Sequence, residues 1–148
     1  MAVAENLSGG LAVVFTAGGV EYGLGIGQVQ EIIRPLPIAR VPNAPENIEG
    51  VINLRGNIIP VINLHKRLAL GERISSERSR VIIVRTQDIT AGIIVDSVKE
   101  VLDLPTEYVK PLLAGKTDVA SLLGIGKSSD HVFMLLDLES ILSEGGRE

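Results

Sequence analysis

The chain has 148 residues, no cysteine and a formal net charge of −4. That length suits one ordinary domain, and the composition excludes disulfides, thiolate metal sites and the basic surface of a general nucleic-acid binder. With 45% hydrophobic but only 3% aromatic residues, the core must be built from Val, Ile and Leu, which favours β structure.

The first ten residues lack the basic start and apolar core of a signal peptide. The longest apolar runs, such as Val132–Leu136, reach only about five residues, too few to cross a bilayer. Residues 1–9 are expected to form a flexible tail. The first strands are expected at Leu11–Thr16, Tyr22–Ile26 and Val29–Ile33, with a turn at Ala17-Gly-Gly19. A connection from Pro35 to Pro45 follows, because Pro removes a ladder donor and fixes φ. A helical turn is expected at Pro45-Glu46. Next comes a hairpin, Val51–Leu54 and Asn57–Ile62, around Arg55-Gly56. Asn63 suits the N-cap of a short helix that stops near Gly71.

The same order then recurs. Strands are expected at Val81–Arg85, Ala91–Val95 and Val98–Leu102, then a connection from Pro105 to Pro111 and a helical turn within Lys116–Leu123. Asp137 is the second N-cap, and 145–148 form the last tail. Residues 13–33 align without a gap on 82–102 at a spacing of 69, so that Val29-Gln-Glu-Ile-Ile33 falls on Val98-Lys-Glu-Val-Leu102. Residues 50–68 align on 124–142 at a spacing of 74, placing Asn63 on Asp137 and Leu64 on Leu138. Two matches in one order point to a repeated structural unit.

Five short strands per unit imply an all-β fold of two pseudo-duplicated barrels around a shared hydrophobic core, with short helices. The barrel halves fall at roughly 10–75 and 76–144 of a single domain spanning 10–144. The pattern is compatible with the first strand pairing inside its own barrel or crossing to the other.

Arg55 is the foremost candidate site residue. It lies at a hairpin tip where no core needs a long cation, and its counterpart in the second unit is Ser129. An Arg fork can bind a carboxylate bidentately or order the hairpin from within. Gly56 is expected to supply a positive φ for the turn. Val29 and Glu31 share one strand face, although Val98 and Glu100 match them, so repeat architecture explains the pair equally well.

Other apparent motifs dissolve. Gly23-Leu-Gly25-Ile-Gly27 has the wrong spacing for a dinucleotide fingerprint, and Gly115-Lys116-Thr117 lacks the earlier P-loop glycine, since that position is Lys110. His65 and His131 are the only histidines, so neither a structural zinc site nor any other metal or cofactor is expected. His65-Lys66-Arg67 is read as a solvated helix face. No grouping of nucleophile and base suggests an enzyme.

Glu21-Tyr-Gly23, Val29-Gln-Glu-Ile-Ile33, Val41-Pro-Asn-Ala-Pro45, Gly50-Val-Ile-Asn-Leu-Arg-Gly56, Ile59-Pro-Val-Ile-Asn-Leu64 and Gly92-Ile-Ile-Val-Asp-Ser-Val98 occur in the order seen in CheW-like domains. The chain resembles that family over roughly residues 10–144. Asn63 stands where the family often has Asp, and both residues cap helices. The resemblance implies two five-stranded, Src-homology-3-like barrels. It further implies a cytoplasmic, non-catalytic chemotaxis adaptor that bridges the regulatory domain of the histidine kinase CheA and the cytoplasmic tip of a chemoreceptor. On this reading Val29, Glu31, Asn53, Leu54, Arg55 and Gly56 form the receptor-binding site, and an apolar strand surface of one barrel meets the kinase. Neither nucleic acid binding nor membrane insertion is expected.

Overall fold

A computed structural model describes residues 10–86, 88–104, 109–110, 122–128 and 131–145. The first repeat forms β1 (Gly10–Ala17), β2 (Val20–Gly25), a 3₁₀ turn (Ile26–Gln28), β3 (Val29–Ile33), β4 (Ile48–Leu54), β5 (Asn57–Asn63) and helix α1 (Leu64–Arg67). The second forms β6 (Arg80–Arg85), β7 (Thr90–Val95), β8 (Ser97–Leu104), β9 (Val109–Lys110), β10 (Leu122–Ser128), β11 (His131–Leu136) and helix α2 (Leu138–Gly145).

These strands build a six-stranded sheet in the order β8-β1-β2-β11-β10-β9 and a five-stranded sheet in the order β3-β6-β7-β5-β4. The all-β expectation holds, and the six-stranded sheet exceeds five through the two-residue β9. The repeats are interleaved. Strand β1 pairs with β8 of the second repeat, and β6 of the second pairs with β3 of the first. The N-terminal strand therefore crosses, and each sheet takes strands from both sides of residue 75.

The duplication holds at the level of register. Val61 pairs with Gly92 in the parallel β5–β7 ladder, and Leu135 pairs with Gly23 in the β11–β2 ladder. Spacings of 74 and 69 convert one pair into the other. Both glycines stand where side chains crowd in. A Cβ on Gly23 would meet Phe133 at 2.6 Å, and one on Gly92 would meet Val81 at 2.8 Å.

Burial on both faces explains why the central strands read as unbroken apolar runs. Val81 and Ile83 pack with Ile52, Ile59, Val61 and Ile94 inside the five-stranded sheet. The alternate residues Ile82 and Val84 enter a shared core with Phe15, Tyr22, Leu24, Ile62, Ile93, Leu136 and Ile141. A third cluster, Ala12, Val14, Phe133 and Leu135, fills the six-stranded sheet. Both short helices cap as expected: Asn63 Oδ1 accepts from the Lys66 amide at 3.1 Å, and Asp137 Oδ1 from the Ser140 amide at 3.3 Å.

The connection after β3 lies against the open side of the five-stranded sheet. Ile33, Leu36 and Ile38 pack on its interior, and Ala39 forms an isolated bridge to Val51 of β4. At Pro45-Glu46 the chain makes a single turn, closed by the Ile48 amide on the Pro45 carbonyl at 2.9 Å, because β4 begins at once. Leu122 and Leu123, expected in a helical turn, open strand β10. Residues 1–9, 116–121 and 146–148 lie outside the described residues, and Gly145 ends α2 rather than beginning a tail.

Candidate functional site

Strands β3 and β4 are the two outer strands of the five-stranded sheet. The hairpin that joins β4 to β5 turns at Arg55 and Gly56, with Leu54 paired to Asn57. Both turn residues have positive φ, 52° and 90°, the two-residue geometry whose twist matches that of the flanking strands. Gly56 adopts its φ without a Cβ penalty, as expected, whereas Arg55 is a non-glycine residue held in the left-handed region. Asn53 contributes a lock, its Oδ1 accepting from the Gly56 amide at 2.8 Å.

From this tip the Arg55 guanidinium donates to the Glu31 carboxylate on β3. The ion pair spans the outer strands of the sheet and ties its open sides together at one end. Arg55 and Glu31 are 24 residues apart in sequence and meet only because the sheet curls. Val29 is half-buried against the shared core. Leu54, only 7% exposed, packs inside the sheet, so its part is to anchor the hairpin from within. Of the six residues expected at this site, Glu31, Asn53, Arg55 and Gly56 come together on the surface, while Leu54 supports them from below and Val29 turns toward the core.

The second repeat handles the same position differently. Glu100, the counterpart of Glu31, meets His131 Nε2 at 2.7 Å, and His131 Nδ1 lies 3.2 Å from Glu21. Glu100 is therefore engaged by an imidazole at the start of β11 instead of by a hairpin-tip arginine.

His65 corrects its sequence reading. It is 4% exposed, not part of a solvated face, because α1 is one turn long and lies against the body of the fold. Its Nε2 lies 3.1 Å from Asp96 Oδ1, and Asp96 Oδ2 accepts from the Gly18 amide at 2.9 Å. Asp96, between β7 and β8, thus ties α1 to the β1–β2 turn. Tyr22, buried in the shared core, has its phenol pushed above the ordinary range by desolvation.

The sequence reading missed a groove of about 380 Å³ lined by Ile32, Arg78, Arg80, Ser97, Val98 and Lys99. It lies where β3 and the start of β6 face β8, strands of different sheets. The available signal was Arg78-Ser-Arg80 immediately ahead of an apolar strand, together with Lys99 inside β8. Among the described residues no group of three His, Cys, Asp or Glu side chains is placed to hold a metal. Among the described residues no helix is long and apolar enough to cross a membrane.

Two interleaved β-sheets on one core, carrying a charged hairpin tip and a cationic groove, define a binding scaffold. Comparison with known proteins gives the family. Residues 11–145 match the CheW-like domain. The chain is 36% identical over 133 residues to a chemotaxis protein CheW of Klebsiella aerogenes, covering 88% of this chain and 80% of that protein. It is 35% identical over 144 residues to that of Bacillus subtilis, covering 95% and 92%. The crystal structure of the scaffolding protein TtCheW from Thermoanaerobacter tengcongensis superposes with a TM-score of 0.83 at 40% identity, covering 90% of this chain and 87% of that one. The chain belongs to the CheW family of chemotaxis coupling scaffolds, whose members bind signalling partners and do not catalyse.

Proposed function

We propose that this protein works in the cytoplasm as the bridge between a chemoreceptor tip and the regulatory domain of a CheA-type histidine kinase. The observation that carries the receptor half is the Glu31–Arg55 pair at a hairpin tip whose partner position in the second repeat is Ser129. The duplicated fold does not require an arginine there, and surface features that break a repeat are candidates for recognition. Val29, Glu31, Asn53, Leu54, Arg55 and Gly56 form the receptor site on this reading. Leu54 and Asn53 fix the hairpin, and Arg55 and Glu31 present charge.

The kinase half is supported by apolar surface on the other sheet. Leu11 of β1 and Val101 of β8, 38% and 47% exposed, stand on the same face of adjoining strands. Partly apolar contacts of moderate area suit an assembly that must pass conformational signals. The domain spans 10–144, and the rigid shared core makes it a positional bridge between partners.

Titration of the full chain against the isolated regulatory domain of its kinase tests the coupling claim. Binding with a Kd of tens of micromolar or tighter supports it, and absence of binding at about that concentration overturns it.

A further inference from the structure

We infer that Asp96 and His65 are positioning residues for coupling: they fix the angle at which the five-stranded sheet is joined to the six-stranded one. On the reading proposed above, on which this rests, the receptor site lies on the first sheet and the kinase surface on the second. A signal between the two partners then has to cross the joint between the sheets.

Among the described residues the chain passes between the sheets twice. One passage is the 3₁₀ turn Ile26–Gln28, between β2 and β3. None of its residues is buried, and a Cβ on Gly27 would meet nothing within 4 Å. The other passage is the single residue Asp96, between β7 and β8.

This second passage is fastened on several sides. The Asp96 amide donates to the Thr16 carbonyl of β1 at 2.9 Å. Its Oδ2 accepts from the Gly18 amide at 2.9 Å, in the β1–β2 turn of the six-stranded sheet. Its Oδ1 lies 3.1 Å from His65 Nε2 on α1, which follows β5 of the five-stranded sheet. One carboxylate therefore grips both sheets at the point where the chain crosses. Ser97 adds a hydroxyl contact to Thr16 at 2.8 Å. The fit is close: Gly18 has a φ of 62°, and a Cβ on it would come within 2.9 Å of Leu70, whose amide donates to the His65 carbonyl at 2.8 Å.

The shared core supplies the adhesion between the sheets, and burial has no preferred direction. Hydrogen bonds are directional, so the angle is set where they cluster. With the passage at 26–28 exposed and the passage at Asp96 fastened, the Asp96 corner decides how motion of one sheet reaches the other.

The test compares the unaltered full chain with Asp96→Ala, His65→Leu, Asp96→Asn and Gly23→Ala, each at a temperature where melting shows it folded. Asn keeps an acceptor for the Gly18 amide and offers an N–H to the imidazole. Gly23→Ala crowds Phe133 within the six-stranded sheet and controls for lost stability alone. Three quantities are measured: affinity for the isolated regulatory domain of the kinase, affinity for a cognate receptor fragment, and receptor-dependent kinase activation. Asp96→Ala and His65→Leu are expected to bind each partner as the unaltered chain does, and to lose about fivefold or more of the activation. Asp96→Asn and Gly23→Ala are expected to keep it. The chain has no cysteine, so spin labels attached through Ile58→Cys and Val132→Cys, at exposed positions on the two sheets, read the joint directly. The distance distribution between them should broaden in Asp96→Ala and His65→Leu and stay narrow in the other three proteins. Unchanged distances, full activation in Asp96→Ala and His65→Leu, activation lost in proportion to partner binding, or an equal loss in Gly23→Ala each overturn the inference and leave the coupling reading standing. No binding of either partner by the unaltered chain overturns both.

Discussion

Arg55 at the tip of the β4–β5 hairpin and Glu31 on β3 form an ion pair across the two outer strands of one sheet, although the strands are not hydrogen-bonded to each other. The pair lies at the surface, with Arg55 exposed and Glu31 half-buried, so its contribution to stability is within about 1 kcal/mol. Its effect on recognition is a separate quantity. Arg55→Glu is expected to leave the urea midpoint nearly unchanged and to impair receptor-dependent kinase activation. Restoration by Glu31→Arg in the same chain would show that the paired geometry matters; failure of the swap to restore activation would assign the effect to the Arg55 charge itself. Normal activation in Arg55→Glu removes the residue from the site.

Asn53 tests whether the hairpin must be rigid. Its side chain accepts from the Gly56 amide, and Asn53→Ala leaves that amide to solvent at a cost of about 1 kcal/mol. The expected result is a small drop in stability with a larger loss of receptor affinity, because Arg55 is no longer held at its left-handed φ. Asn53→Asp, which keeps the acceptor, is expected to retain affinity. Equal affinity in all three proteins would show that the turn lock plays no part in binding.

Much of this architecture could be read from the chain, and the parts that could not share a cause. Strands β3, β4 and β5 appear within a few residues of expectation because their apolar period and the flanking Pro and Gly residues are local signals. Asn63 and Asp137 cap helices because capping is also local. The crossing of β1 to β8 was undecided because periodicity records which face a residue uses and not which strand lies beside it. His65 was misread because a four-residue helix has no period from which a buried face could be inferred. The groove escaped because Ile32, Arg78 and Lys99 are brought together only by the interleaving of the repeats.

The ring of Phe133 lies between Gly23 and Gly126, and a Cβ on either would come within 2.6 Å of it. Phe133 is fully buried with Ala12, Val14 and Leu135, so it has little room to yield. Gly23→Ala is expected to destabilise the protein by about 1–3 kcal/mol through overpacking. In a Phe133→Leu background the same substitution is expected to cost less, because the smaller side chain leaves space. Chemical denaturation of the four proteins in this cycle measures the coupling. Strictly additive effects would mean that the crowding is relieved elsewhere.

Tyr22 carries a dependence on alkaline pH. Its phenol is buried in the shared core, and desolvation raises its pKa in the folded state above the ordinary value near 10. The folded pKa exceeds the unfolded one, so the stabilisation is complete below about pH 10 and is lost as pH rises through the folded value. Unfolding free energy is therefore expected to decline above about pH 10. In Tyr22→Phe that decline should be shallower, since Phe cannot ionise. Parallel curves for the two proteins between about pH 9 and 11.5 would place the alkaline loss on other groups.

Asp96 is the point at which three separate elements meet. Its backbone amide donates to the Thr16 carbonyl at 2.9 Å, and its two carboxylate oxygens meet the Gly18 amide and His65 Nε2. His65 is buried, and among the described residues its Nδ1 has no hydrogen-bond partner, so Asp96 is the polar contact that its ring makes there. Asp96→Ala leaves the buried imidazole without that partner and frees the β1–β2 turn, at an expected cost of about 1–3 kcal/mol. If the stranded imidazole is the source of that cost, His65→Leu should recover part of it, because replacing both partners removes the unsatisfied group. An Asp96→Ala protein that unfolds at the same urea concentration as the unaltered chain would rule out the clasp as a stabilising element.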